Sequence, residues 1–253
     1  MNFMDHLEEL KKRLTVSVVA VLIASVVSYI FIDELWAFLS APIMKVLPAG
    51  QKELVFTSLL DPFFCYIKLA FICGLFFSSP VILYEIWAFI KPGLYVHERR
   101  FTAIFVIAGS LFFIGGACFG YFLIFPATFE ILLSYAGPNM RPMLTMNEYF
   151  SLVSTLLIVF GVMFELPIIM FLLNKLGLVR VEIYTKHRRY AMILLVLLAA
   201  FITPTGDAVT LVLCSIPLVF LYEMGVIFSK IWGRKDKPVE QTKDLDEPRP
   251  YDG

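Results

Sequence analysis

The sequence is short of charged residues. Only 17% of its 253 residues are charged, and 21 basic side chains are balanced by 21 acidic ones. A chain without net charge offers no general basic surface, so no nucleic-acid partner is expected. Apolar residues make up 59% of the chain, and the mean hydropathy of +0.81 lies far above that of soluble domains. These values indicate an integral membrane protein in contact with lipid.

Motifs for metal binding and catalysis are also lacking. The cysteines stand singly in apolar stretches, without the spacing of a zinc site or a disulfide framework: Cys65, Cys73, Cys118 and Cys214. The sequence contains no GxSxG, HExxH, Walker or GxGxxG motif, so we expect neither an enzyme nor a bound metal or cofactor. No internal repeat is visible, which disfavours a transporter built from inverted repeats.

Long apolar segments are what the sequence does contain. A helix needs about 20 mostly apolar residues to cross the hydrocarbon of a bilayer. Six segments are candidates, which predicts an all-α polytopic membrane protein with six transmembrane helices: Thr15 to Ile32, Phe63 to Phe89, Phe101 to Pro126, Phe150 to Leu173, Tyr190 to Ile202 and Val209 to Phe228. The fifth segment has 13 residues and reaches only about 20 Å as a helix.

The distribution of Lys and Arg predicts the orientation. Three precede the first segment, three lie in the second connection, five lie in the fourth and six follow the last segment. These 17 of the 21 basic residues fall on one side, and basic connections remain in the cytoplasm. Both termini are therefore predicted to be cytoplasmic.

The connections on the opposite side are unusually apolar. Two of them, Asp33 to Asp61 and Ala127 to Tyr149, carry large apolar side chains that bare loops would not expose. We predict short interfacial helices that form a periplasmic cap over the bundle. The tail is polar and mixed in charge, so residues 1–232 are predicted to form the transmembrane domain and residues 233–253 a disordered cytoplasmic tail.

Ionisable residues inside the apolar segments are few. Glu165, followed by Pro167, lies far from either end of the fourth segment. An ionised carboxylate in the bilayer is costly, so we expect Glu165 to face a polar intramembrane cavity and to serve function. Glu85, Glu223 and Lys68 lie nearer to segment ends, where snorkelling is expected to suffice.

Two further acids lie on the predicted cytoplasmic side. Glu9 stands four residues before Arg13, and Glu98 stands beside Arg99. Each acid has a local interpretation, in which it pairs with the neighbouring arginine, and a functional one, in which it binds an external cation.

Several motifs together resemble the TatC family, the core subunits of the twin-arginine protein translocase. His6 to Leu14 (HLEELKKRL) is similar to the N-terminal family motif HLxELRxRL. Further matches follow in order along the chain: Ser40 to Pro42, Pro80 to Tyr84, Trp87 to Ile90 with Pro92, His97 to Arg100, Tyr121 and Phe122 with Pro126, Phe164 to Pro167, and Thr203 and Pro204 with Asp207. Lys11 replaces the usual Arg of the motif, and Leu211 stands where relatives often carry Gln.

The resemblance implies a receptor in the bacterial cytoplasmic (inner) membrane that binds twin-arginine signal peptides. With TatA and TatB, and in a homo-oligomeric receptor complex, it would pass folded proteins across the membrane by the proton motive force. The family motifs assign signal-peptide binding to six positions and the intramembrane groove to Glu165: Glu9, Lys11, Arg13, Phe89, Glu98 and Arg99. Pro42, Tyr121 and Asp207 match positions for partner contact or structure. The alternative is a proton-coupled secondary transporter with Glu165 as its relay.

Overall fold

A computed structural model describes residues 3–47, 53–90, 102–135, 137, 143–202 and 208–233. Its regular structure in these ranges is helical, as predicted. The helices are α1 Phe3–Ile30, α2 Ile32–Val46, α3 Asp61–Ile90, α4 Thr102–Phe119, α5 Phe125–Ser134, α6 Met146–Phe164, α7 Leu166–Lys175, α8 Val181–Lys186, α9 Arg188–Ile202 and α10 Ala208–Trp232.

Among the residues that the structure describes, five helical stretches are long and apolar enough to cross a membrane: Met4–Ile30, Asp61–Ile90, Ala103–Ser134, Met146–Lys175 and Ala208–Trp232. They correspond to five of the six predicted segments, with ends that differ by a few residues or more. The remaining one is α9, whose 15 residues extend about 22 Å and are too few to cross a full bilayer without help. The prediction of an all-α polytopic membrane protein is confirmed, and the crossing of the membrane by α9 stays a prediction.

The third span is longer than the sequence predicted. It continues past Pro126 to Ser134 by way of a π-helical turn over Gly120–Ile124, where Phe125 N–H bonds to the carbonyl of Gly120. Proline has no N–H and disturbs the usual α-helical bonding, but it is tolerated at the start of a helix. The π-helical turn lets α5 begin at this point, so Pro126 does not end the span.

The two connections predicted to form a cap contact one another. The N–H of Val55 donates to the carbonyl of Leu144 at 3.0 Å, and the N–H of Met146 donates to the carbonyl of Val55 at 2.8 Å. Helix α2 buries Leu39 and Ile43 in the core beside α5 and α6. The predicted cap therefore exists, and we call this end of the bundle the cap end.

The opposite end holds the start of α1 and the ends of α3, α7 and α10, and we call it the basic end. Lys175 Nζ donates to the carbonyl of Trp232 at 3.5 Å, which joins the last turns of α7 and α10. The basic end corresponds to the side that the charge distribution assigns to the cytoplasm. Of the predicted tail, residues 233–253, only Gly233 is described, and residues 234–253 lie outside the described residues.

Much of the outer surface is apolar. On α1, Ile23, Val26 and Ile30 are more than 60% exposed, and Ile216 and Phe220 on α10 are equally open. A water-soluble protein does not display such continuous apolar faces, whereas a protein in contact with lipid requires them.

Candidate functional site

An acidic cluster lies at the basic end, where α1 packs against α3. We define it as Glu9, Arg13 and Glu85. Arg13 Nη1 donates to Glu85 Oε2 at 2.9 Å, and Arg13 Nη2 lies 3.5 Å from Glu9 Oε1. The contact with Glu9 is therefore the longer and weaker of the two. The local interpretation of Glu9, as a partner of Arg13 within one helix, describes only part of this arrangement.

Glu85 departs from the expectation of snorkelling. It is 7% exposed, and its charge is met by Arg13 rather than by water. A buried carboxylate is tolerated when a cation pairs with it, and guanidinium is well suited to that pairing. The sequence separation of 72 residues hides this contact from any local pattern.

The cluster leaves one carboxylate oxygen without a partner. Glu9 Oε2 is buried and accepts no hydrogen bond from the described residues, and Arg13 Nε is buried and unsatisfied as well. A buried polar atom of this kind costs roughly 1 to 3 kcal/mol when nothing pairs with it. Glu9 can therefore gain much from a cation that reaches it from outside the chain.

An aromatic contact supports the cluster from the end of the bundle. The ring of His6 stacks on Phe89, with centroids 4.4 Å apart and an angle of 21° between the planes. This contact fixes the first turns of α1 against the last turn of α3. Phe89, predicted from the family motif, thus lies at the same end as Glu9 and remains partly exposed.

The other predicted signal-binding residues fall into two groups. Lys11 is exposed on α1, and the structure shows no ion pair for it among the described residues. Glu98 and Arg99 lie in residues 91–101, outside the described residues. Asp207, predicted for partner contact or structure, lies in residues 203–207, which are also outside them. The structure therefore brings together Glu9, Arg13 and Phe89 and leaves the meeting of Glu9 with Glu98 as a prediction.

Glu165 interrupts the fourth span between α6 and α7. It is 8% exposed, and its Oε1 is buried without a hydrogen-bond partner among the described residues. A Cβ atom built on Gly109 of α4 would lie 3.3 Å from Glu165 Oε2 and 3.1 Å from Leu83 Cδ1. The carboxylate therefore occupies a narrow space beside α3 and α4, within the apolar interior. Its expected polar cavity remains a prediction.

Pro42 and Tyr121 act together in the cap. The carbonyl of Phe38 lacks the usual partner four residues later, because Pro42 has no N–H. The hydroxyl of Tyr121 donates to this carbonyl, and its ring stacks on Phe38 with centroids 4.6 Å apart. Tyr149 similarly donates to the carbonyl of Leu39 at 2.5 Å. Two tyrosines thus anchor α2.

Three features of this set escaped prediction from sequence: Glu85, Tyr149 and the pair of Arg188 with Glu223. Arg188 Nε lies 2.5 Å from Glu223 Oε1 and joins α9 to α10 at the basic end. The sequence offered one sign of such pairs. In each case an acid without an obvious local partner lies near the same predicted face of the membrane as an arginine. Within the described ranges there is no group of three or more His, Cys, Asp or Glu that could hold a metal.

Comparison with known proteins assigns the chain to a family. The family model for the Sec-independent protein translocase protein TatC matches residues 5–217. The TatC protein of Desulforapulum autotrophicum is 39% identical over 94% of this chain and 88% of its own length. That of Escherichia coli is 36% identical over 93% of this chain and 91% of its own length.

Comparison with a solved structure supports the same family assignment. The crystal structure of the twin-arginine translocase receptor TatC superposes with a TM-score of 0.78 at 36% identity, covering 89% of this chain and 98% of that one. The match replaces the transporter alternative, and a translocase subunit is a transport protein rather than an enzyme. The chain belongs to the TatC family, the receptor subunits of the twin-arginine translocase.

Proposed function

We propose that Glu9 and Glu98 form the binding site for the two consecutive arginines of a signal peptide, at the basic end of the bundle. Each carboxylate would accept one guanidinium group. Two adjacent guanidinium groups are best recognised by fixed carboxylates, because each can form two parallel charge-assisted hydrogen bonds. A lysine ammonium is a point charge and cannot form that pattern.

The unpaired Oε2 of Glu9 is the observation that carries this proposal. A carboxylate already saturated by Arg13 would have little to offer a second cation. Because Glu85 holds Arg13 at 2.9 Å while Glu9 lies at 3.5 Å, an oxygen of Glu9 remains for a ligand. Arg13 is thus held mainly by Glu85 and does not itself need to touch the peptide.

The remaining predicted residues fit around this contact. Phe89 offers a partly exposed ring beside His6, which suits the apolar residues of a signal peptide. Lys11 lies on α1 at the basic end, Arg99 is predicted to lie on the same side of the membrane, and both belong to the family motifs. They would limit the site to two cations by repelling further ones.

Membership of the family supports a proposal for the wider setting. We propose that the chain lies in the bacterial cytoplasmic membrane, with TatA and TatB as partners and with further copies of itself in the receptor complex. Transport of folded proteins would use the proton motive force. Glu165 would meet a polar group of a partner or peptide within the membrane, because an unpaired carboxylate there needs one. Asp207 and the cap, with Pro42 and Tyr121, would support partner contact.

A peptide titration tests the site. A twin-arginine signal peptide is titrated against the purified wild-type chain, Glu9→Ala, Glu98→Ala and the double variant. Loss of one partly desolvated, charge-assisted pair costs on the order of 1.5 to 3 kcal/mol, so each single variant should bind roughly 10- to 100-fold more weakly. Added salt should weaken binding to the wild type.

Glu8→Ala is the matched control, because Glu8 neighbours Glu9 on α1 but is exposed and takes no part in the ion pairs of the acidic cluster. It should bind like the wild type. Equal affinity of all four test proteins would disprove the assignment of Glu9 and Glu98.

A further inference from the structure

A second candidate site lies at the cap end, far from the acidic cluster. A groove with a volume of about 770 Å³ runs between α3 and α6 and is lined by both polar and apolar side chains. We call it the outer groove. Lys68 and Glu148 line it together, with Asn147 and Ser151 beside them. We propose that the outer groove binds a phospholipid with a primary amine in its headgroup, the phosphate on Lys68 and the ammonium on Glu148.

The two charged side chains can reach the same level of the membrane. Helices α3 and α6 both begin at the cap end, α3 at Asp61 and α6 at Met146. Lys68 stands seven residues into α3, about 10 Å along the axis, whereas Glu148 lies in the first turn of α6. A lysine side chain on a helix is tilted towards the N-terminus, and its long stem extends to the interface. Its ammonium therefore approaches the level of Glu148.

Both charges are available to a ligand. They share one groove and neither forms a salt bridge with a described residue, although the charge of Lys68 also acts on Asp61. The Oδ2 atom of Asp61, the nearest acid in α3, already accepts three hydrogen bonds from Thr57 and Ser58. Glu148 accepts one bond, from the hydroxyl of Thr145 at 3.0 Å. A headgroup that carries both a negative and a positive charge is complementary to this groove, because its phosphate can contact Lys68 while its ammonium contacts Glu148.

Below the charges the lining becomes apolar. Ile67 and Phe71 are 43% and 50% exposed, and Leu75 and Ile158 continue the groove towards the middle of the bilayer. The lining thus changes from polar at the interface to apolar deeper in the membrane. A phospholipid has the same arrangement, with its polar headgroup at the interface and its acyl chains below. A water-soluble peptide would not require the apolar part.

The chemistry selects among phospholipids. An ethanolamine headgroup presents both a phosphate for Lys68 and an N–H donor for Glu148. A choline headgroup has a phosphate but no N–H, and a glycerol headgroup has no cation. We therefore expect phosphatidylethanolamine to bind more tightly than phosphatidylcholine or phosphatidylglycerol with the same acyl chains.

Native mass spectrometry of the full chain in detergent tests the proposal with these three lipids as probes. The wild type should retain phosphatidylethanolamine about 5- to 10-fold better than the other two, the effect of one charge-assisted hydrogen bond. Lys68→Gln should weaken all three lipids. Glu148→Gln should remove the preference for ethanolamine, while the glutamine keeps the capping contact with Thr145.

Lys45→Gln is the control, because Lys45 is an exposed basic residue of α2 on the same side. It should leave lipid retention unchanged. Three results would overturn the proposal: equal retention of the three lipids by the wild type, unchanged retention in Lys68→Gln, or a preference for ethanolamine that survives Glu148→Gln. A second copy of the chain or a peptide as occupant would appear as a bound mass that lipid does not displace, and would also overturn it.

Discussion

Arg13 bonds to Glu85 across the contact between the first and third helices, with Nη1 2.9 Å from Oε2. The pair has a consequence for a third residue. Glu9, one helical turn before Arg13, competes for the same guanidinium group. Its Oε1 lies 3.5 Å from Arg13 Nη2, which is the longer of the two contacts. On the proposed function, Glu85 would act as a positioning residue, which draws Arg13 away and leaves Glu9 able to accept a ligand.

Replacing Glu85 by Gln should weaken signal-peptide binding, although Glu85 need not touch the peptide. Arg13 would then keep Glu9 as its carboxylate partner, and a peptide arginine would have to displace it. We expect a loss of about 3- to 10-fold in affinity, from about one net hydrogen bond. The measurement is the titration with a twin-arginine peptide. In the double variant with Arg13→Gln the competitor is absent, and affinity should recover.

Glu223→Gln serves as the comparison for this prediction, since it removes another acid paired with an arginine, Arg188, at the same end. It should not alter affinity. If Glu85→Gln binds as the wild type does, or if Arg13→Gln fails to restore binding to it, Glu85 does not position Glu9.

The cap offers a double-mutant test of the link between Pro42 and Tyr121. Tyr121→Phe leaves the carbonyl of Phe38 unpaired and should cost about 1 to 3 kcal/mol. In a Pro42→Ala background the same change should cost less, because alanine restores the N–H that proline lacks. Thermal unfolding in detergent measures both. Equal shifts of Tm for Tyr121→Phe in the two backgrounds would contradict the link.

Gly74 lies where α1 and α3 approach each other closely. A Cβ atom there would lie 2.6 Å from the backbone N and 2.8 Å from the Cα of Ser25. Gly74→Ala should therefore force the helices apart and lower the free energy of unfolding by about 1 to 3 kcal/mol. A Cβ on Gly115 would meet nothing within 4 Å, so Gly115→Ala should be neutral or slightly stabilising. Similar Tm values for the two variants would refute this account of the packing.

Glu165 should matter for transport more than for folding. An unpaired buried carboxylate contributes nothing favourable to stability, so Glu165→Ala and Glu165→Gln should keep the yield and Tm of the wild type. Export of a folded reporter with a twin-arginine signal should fall in both. Glu182→Gln, an exposed acid on α8, is the control. Normal export rates in both Glu165 variants would show that the carboxylate has no functional role.

Hydropathy was sufficient to predict the helical spans, because each span must be apolar over about 20 residues whatever its neighbours are. It also placed α9 as a short helix and α2 as part of a cap. The ends of the third span could not be predicted, since Pro126 is a stop signal in most contexts and here follows a π-helical turn.

Contacts between distant residues were the part that sequence patterns could not provide. Glu9 and Phe89 emerged from motifs, but the pairing of Arg13 with Glu85 depends on how α1 is rotated against α3, which a single sequence does not encode locally. The same holds for Tyr121, whose hydroxyl compensates for Pro42 from another helix. Motifs identified the residues, and only the packing revealed which of them act together.

The central claim is that carboxylates, Glu9 among them, recognise the guanidinium groups of the signal peptide. The most direct measurement is the ratio of affinities for a twin-arginine and a twin-lysine peptide, determined for the wild type and for Glu9→Gln. The wild type should prefer arginine by about 10-fold or more, and Glu9→Gln should reduce that preference markedly, because one bidentate pair is lost. Equal affinities for the two peptides in the wild type, or an unchanged ratio in Glu9→Gln, would contradict the claim.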